Sequence, residues 1–219
     1  GKSTTLAALL KRVNHGRARH IITIEDPIEF IYKRGKQSLI HQREVGVHVP
    51  SFAAGLRAAL RESPDIIMVG EMRDLDTIAA ALTAAETGHL VLSTLHCANA
   101  AMAIDRVIDV FPAHQQRQVR IQLASVLRAA VTQVLLPSEG GVGGRVAAVE
   151  KMIVTPAIAA KIREERVHQL ASDIQTGRAD GMVTLEQSLA ALVRAGRVKP
   201  TFARAVARDA RALDELLRG

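Results

Sequence analysis

Residues 65–96 read DIIMVGEMRDLDTIAAALTAAETGHLVLSTLH, and the alternation inside that stretch decides the fold class. Ile66 to Val69 are four apolar residues between Ser63-Pro64-Asp65 and Gly70-Glu71, which predicts a short buried strand. The mostly alanine segment from about Leu75 to Thr87 predicts a closely packed helix, with Gly88 as its stop. Leu90 to Leu95 is apolar again and closes at His96. Strand, helix and strand in that order, each strand almost wholly apolar, is the pattern of a parallel sheet covered on both faces. The chain is therefore read as α/β.

Outward from this centre the same alternation continues. His20 to Ile24 is a β-branched run that predicts another buried strand, ending at once in Glu25, Asp26 and Pro27. Ser38 to Gln42 predicts a strand leading into QREVG at 42–46, and Ser51 is placed to cap a helix through Arg61. Thr5 to Val13 is rich in Leu and Ala and predicts a helix ending near Asn14 and Gly16. In the second half, Val119, Leu123, Val126, Leu127, Val131 and Val134 recur at helical spacing, which predicts one long amphipathic helix over 115–136. Ser138 to Gly144 reads as a turn and Arg145 to Val154 as a strand. Thr155-Pro156 starts a helix, and Thr184 with Gln187 makes a capping box for another that ends at Ala195-Gly196. The last third reads as a small helical bundle.

At 219 residues and 48% hydrophobic, the chain is long enough for one substantial core. The net charge of +7 raises an anionic partner. Against nucleic acid stand arginines spread along the whole chain and an aromatic content of 2%, too low for stacking platforms. A single cysteine, Cys97, excludes an internal disulfide and a cysteine-rich zinc site. No window approaches the roughly 20 apolar residues of a membrane span, and the first residues lack a basic-then-apolar secretory pattern, so the expected location is the cytoplasm.

The chemistry starts at Gly1-Lys2-Ser3-Thr4, which matches the second half of the phosphate-binding pattern G-x-x-x-x-G-K-[ST]. In that pattern backbone N–H groups cradle phosphates and the lysine reaches the outer ones. Four such residues also occur simply as a helix cap. A phosphate-loop ATPase needs in addition an acid at the tip of a neighbouring strand to serve Mg²⁺, and a group that positions the attacking water. Glu25 and Asp26 end one predicted strand and Glu71 follows another, so three independent features agree. Each acid alone also reads as a solvated loop residue. His89 and His96 flank the third strand, and either could bond the γ-phosphate. For His89 a hydrogen-bonded structural residue at a strand start is an equal reading.

HIITIEDPIEF (20–30), QREVGV (42–47), the 65–96 stretch and IDRVIDVFPAHQQ (104–116) together resemble the secretion ATPases of type IV pili and type II secretion, and most of all the retraction branch that serves twitching motility. The resemblance runs nearly the whole length. It implies a RecA-like P-loop NTPase core over 1–154 with a mostly parallel sheet, then a small C-terminal helical bundle over 155–219. It implies ATP and Mg²⁺, with phosphates on Gly1, Lys2, Ser3 and Thr4, metal on Ser3 and Glu71 partly through water, and Asp26 and His89 beside the nucleotide. Glu25 would polarise the water and His96 would sense the γ-phosphate. The family also implies a homo-hexamer with an arginine from the neighbouring subunit completing each site; Arg57, Arg61, Arg73 and Arg106 are the candidates. Its partner would be the inner-membrane platform protein of the pilus, reached by peripheral association rather than a membrane span.

Two features refine the resemblance. The extension and type II secretion branches carry a four-cysteine zinc element that is not found here, which favours the retraction branch. Retraction ATPases read AIRNLI after the Thr-Pro, whereas this chain has Ala157 to Ile162 as AIAAKI, which bears on coupling more than on hydrolysis. An accessory retraction paralogue, a related type II/IV secretion ATPase, a nucleic-acid-dependent RecA-like ATPase and a non-catalytic partner-binding subunit are the alternatives. The family's N-terminal PAS-like domain and the first half of the phosphate loop are expected upstream of Gly1, so the isolated chain should bind ATP poorly.

Overall fold

The computed structural model describes residues 1–33, 37–139 and 144–218. In chain order the first elements are α1 (Lys2–Gly16), β1 (His20–Glu25), β2 (Leu39–Glu44), α2 (Phe52–Ala59), β3 (Ile66–Val69), α3 (Leu75–Glu86) and β4 (Leu90–Ser93). There follow α4 (Ala100–Asp109), α5 (Ala113–Val126), β5 (Ala129–Pro137) and β6 (Arg145–Ile153). The chain ends with α6 (Pro156–Arg163), α7 (Leu170–Thr176), α8 (Leu185–Arg194), α9 (Pro200–Val206) and α10 (Ala210–Arg218). These elements form two compact units: Lys2–His96 with Asp109–Val126, and Cys97–Ile108 with Leu127–Gly219 and Gly1.

The first unit is built on a parallel sheet of order β2-β1-β3-β4. The central strand β3 is apolar and buried throughout because both faces of the sheet are covered there. Ile22, Ile24, Ile67 and Val69 face Leu56 and Ala59 of α2 and Ala80, Ala81 and Ala84 of α3. Ile21, Ile66 and Met68 point the other way, onto Leu6 and Leu10 of α1. Burying an isoleucine contributes about 1.5–3 kcal/mol, so the fully buried Ile21, Ile22, Ile24 and Ile67 anchor this layer. Helix α2 lies so close to β1 that a Cβ on Gly55 would stand 3.1 Å from Ile24 Cδ1. Ser51 caps α2 as expected, accepting from Ala54 N, and Asp74 caps α3 by accepting from Thr77 N. Gly88 ends α3 with φ of +95°, a region that favours glycine. Because the strands are parallel, all their carboxyl ends lie along one edge. Glu25 pairs in register with Glu44, and Ile24 with Val69, one residue before Gly70-Glu71.

The second unit has β5 and β6 as an antiparallel hairpin. Leu136, Val146 and Ala148 pack with Leu185, Leu189, Val198, Ala203 and Leu213 of the surrounding helices. The Thr184–Gln187 capping box and the Thr155 cap before Pro156 form as read from the sequence. Glu150 on β6 is buried; it accepts from Ala100 N at the start of α4 and is paired with Arg208 from the α9–α10 link.

Two expectations are corrected. The long helix over 115–136 stops at Val126, and residues 129–137 form β5 instead. Val131 and Val134, three apart, suit a helix, but in the strand they fall on opposite faces: Val134 packs with Leu136 on the apolar core and Val131 is exposed, and the nine-residue ladder to β6 selects the strand. The chain also does not divide at 154: the hairpin groups with the C-terminal helices through their shared apolar core, so that part is not helical alone. Of the expected turn at 138–144, residues 140–143 lie outside the described residues, while Ser138 N bonds Gly144 O at 3.0 Å.

Candidate active site

Lys2, Glu25, Glu71 and His96 lie at the carboxyl edge of the parallel sheet. Lys2, Ser3 and Thr4 form the first turn of α1, where N–H groups without intrahelical partners and the positive end of the helix dipole favour an anion. Gly1 precedes that turn and is exposed. The Lys2 ammonium donates to the carbonyl of Leu95 at 3.2 Å, next to His96. His96 Nε2 lies 3.9 Å from Glu71 Oε2, and the same oxygen receives Arg73 Nε at 2.7 Å. Thr94 Oγ1 donates to Gly70 O at 2.7 Å and Met72 N to Thr94 O at 3.2 Å, so the 70–72 and 94–96 segments are tied side by side just beyond β3 and β4. Glutamate and histidine thus meet, with the lysine bonded to the backbone one residue before the histidine, because two strand ends and one helix start are held at a common edge.

Glu25 is the last residue of β1 and, at 7% exposure, a buried carboxylate. Burying a charge is costly unless donors satisfy it. Here Thr23 Oγ1 donates to its Oε1 at 2.7 Å and Gln42 Nε2 to the same oxygen at 3.0 Å. Alternation along β1 and β2 sets Thr23, Glu25, Gln42 and Glu44 on the sheet face that carries Ile21 and Ile40, which is the face of α1. The negative charge of Glu25 reaches Tyr32, whose hydroxyl is pushed up to about 12, chiefly by burial and secondarily by Glu25.

The remaining predicted residues are placed as follows. Ser3 Oγ donates to Glu29 Oε1 at 2.9 Å, which gathers two oxygen-bearing side chains beside the first turn of α1. Among the described residues no cluster of three or more His, Cys, Asp or Glu forms a metal cage. Serine and carboxylate oxygens at an anion-binding turn suit Mg²⁺, which takes one or two protein ligands and keeps its water and phosphate oxygens. Asp26 is exposed beyond the end of β1. His89 is not brought to this edge. It precedes β4 at the opposite, amino end of the sheet, where its N–H and Nδ1 meet Ala84 O and its ring meets Thr87, closing the end of α3. A strand of four residues at about 3.3 Å each separates the two edges, so the structural reading of His89 holds. Of the four arginines, Arg73 is engaged with Glu71 of its own chain, and Arg57, Arg61 and Arg106 are exposed.

Sequence reasoning missed Thr23, Glu29, Tyr32 and Gln42. Period-2 alternation would have placed Thr23 beside Glu25, but the cross-strand reach of Gln42 depends on the β1–β2 register, which has no local signal.

Comparison with known proteins identifies the family. The family described as type II/IV secretion system protein matches residues 1–199. A twitching motility protein of Neisseria gonorrhoeae is 51% identical over 213 residues, covering 97% of this chain and 56% of that protein. PilT of Pseudomonas aeruginosa, a type IV pilus retraction ATPase, is 54% identical over 204 residues, covering 93% of this chain and 58% of its own length. Among solved structures, the pilus retraction motor PilT with bound ADP superposes with a TM-score of 0.89 at 47% identity, covering 98% of this chain and 60% of that one. The chain thus spans less than two thirds of the length of these relatives. With the parallel sheet and a match over 199 residues, this chain belongs to the type II/IV secretion system protein family.

Proposed function

We propose that the protein is the ATP-hydrolysing motor that powers type IV pilus retraction, working as a homo-hexamer in the cytoplasm on the pilus platform protein of the inner membrane. The observation that carries the reading is the sheet edge where Lys2 at the start of α1 donates to the carbonyl of Leu95, and where His96, the next residue, lies 3.9 Å from Glu71 after β3. The PilT relatives, one of them solved with ADP, support both the nucleotide and the motor role. No helix among the described residues is long and apolar enough to cross a membrane, which is compatible with peripheral association.

In this reading the first turn of α1 holds the phosphates, and Lys2 sets its charge against the negative charge that develops on the transferred group. Mg²⁺ bound with the nucleotide would draw charge from the phosphates, with Ser3 and Glu71 as the residues that hold it, partly through water. Glu25 orients the attacking water. His96, beside Glu71, reads whether the γ-phosphate is present. Arg57, Arg61 and Arg106 are free to serve the neighbouring subunit's site, and loss of the γ-phosphate would release a rigid-body movement between units.

The test is Glu71→Gln in the complete gene product: ATP should still bind, while turnover falls by about 100-fold or more. Normal turnover would overturn the assignment. A second reading, an accessory retraction paralogue, is favoured by one feature. Helix α6 keeps its buried residues, Ile158 and Ile162, but its outer positions are Ala159, Ala160 and Lys161, the last paired with Asp173 at 2.7 Å. Deleting the gene separates the two: loss of all retraction supports the motor, and partial loss supports the accessory.

A further inference from the structure

We propose that Thr23 and Gln42 are positioning residues that hold Glu25 by one carboxylate oxygen and reserve the other for the attacking water. The inference rests on the reading of Glu25 as the group that orients that water. Both donors meet Oε1, Thr23 Oγ1 at 2.7 Å and Gln42 Nε2 at 3.0 Å, and Oε2 takes none of the hydrogen bonds among the described residues. A carboxylate turned by a quarter-turn about its last torsion would lose both bonds at once, and a half-turn only exchanges two equivalent oxygens. The pair therefore fixes the plane of the group and leaves one oxygen facing outward.

The orientation of Gln42 is determined by its surroundings. Its Oε1 accepts from Tyr32 N at 3.0 Å, a group that can only donate. That leaves Nε2 for two acceptors, Glu25 Oε1 and Phe30 O at 2.8 Å. The amide thus has one satisfactory placement, and reversing it would set oxygen against oxygen at two points and N–H against N–H at the third. Gln42 also fastens the segment after Glu25-Asp26-Pro27 to β2, helped by Glu44, whose Oε2 accepts from Ile28 N at 2.9 Å. Thr23 has no such second task. It is wholly buried two residues before Glu25 on the same side of β1, and its described hydroxyl bond goes to Glu25 alone. A residue whose work is only to fill the strand would serve as well as valine. The hydroxyl points to catalysis.

The experiment uses the complete, assembled protein with saturating Mg-ATP. Thr23→Val keeps shape and removes the donor. Turnover should fall about 10- to 100-fold with the KM for ATP within a factor of about two, because displacing a catalytic group by about an ångström costs that much in rate without touching nucleotide binding. Thr23→Ser, which restores the hydroxyl, should return to within a few-fold of the natural protein. Gln42→Glu, which sets a second carboxylate against Glu25, should fall at least as far as Thr23→Val. In a Glu25→Gln background the Thr23→Val change should have no further effect, since the group it positions has gone. Wild-type turnover by Thr23→Val, failure of serine to rescue, or full additivity with Glu25→Gln would overturn the inference. Normal hydrolysis by Glu25→Gln alone would instead overturn the reading of Glu25 on which it rests.

Discussion

Removing Arg208 should weaken the second unit measurably. Glu150 is 6% exposed on β6, and its two described partners are Ala100 N at 2.9 Å and the Arg208 guanidinium. Arg208 also donates to Ala98 O and Thr132 Oγ1, so one side chain from the α9–α10 link joins β5, β6 and the approach to α4. Arg208→Ala leaves the carboxylate buried with a single N–H donor. Breaking a buried pair costs about 3–5 kcal/mol. The arginine side chain is 32% exposed, so water screens part of the pair and the expected loss is about 2–3 kcal/mol. For a chain of this size that is a fall in Tm of roughly 4–12 °C. Thermal unfolding followed by circular dichroism reads it directly. Adding Glu150→Gln, which keeps the acceptor for Ala100 N but removes the charge, should recover at least about 1 kcal/mol of the loss. A Tm for Arg208→Ala within a degree of the natural protein, or no recovery in the double variant, would refute the reasoning.

Two further expectations concern pH. The sequence holds one tyrosine and no tryptophan, so absorbance of phenolate near 295 nm follows Tyr32 alone. Its native midpoint should lie at about 12 against 10.0 in the unfolded chain; the unfolded state loses its proton first, so stability declines as pH rises between those values, and Glu25→Gln should draw the native midpoint down. Asp65 is held below its usual 3.8, first by the N–H of His20 and then by Arg19, so its contribution is complete above that value and is lost as pH falls through the lower native one; Asp65→Asn should flatten the acid limb of stability against pH measured by urea unfolding.

Legibility in the sequence followed physical locality. The strand at 66–69 is readable because a strand buried on both faces is apolar without interruption, those at 20–25 and 90–93 because short β-branched or apolar runs stand out from their flanks, and Glu25 and Glu71 are readable by contrast with the apolar runs they follow. Caps at Ser51, Thr155 and Thr184 are three-residue signals and formed as expected. Residues 127–136 read as helix because Val131 and Val134 stand at helical spacing, whereas the strand buries Val134 and Leu136 and exposes Val131, a choice made by pairing with β6, ten or more residues away. His89 was placed near the nucleotide because sequence shows that it flanks a strand but not which end faces the site. Gln42 was invisible for a related reason: nothing in QREVG states that its amide crosses to Glu25.

The most direct test is the structure of the complete protein with Mg²⁺ and a non-hydrolysable ATP analogue. The account predicts the Lys2 ammonium within about 3 Å of an outer phosphate oxygen, Glu71 linked to the metal directly or through one water, and Glu25 Oε2 facing the water in line with the γ-phosphate. A nucleotide seated elsewhere, or at α1 with Glu25 and Glu71 both out of reach of its γ-phosphate and metal, would contradict it.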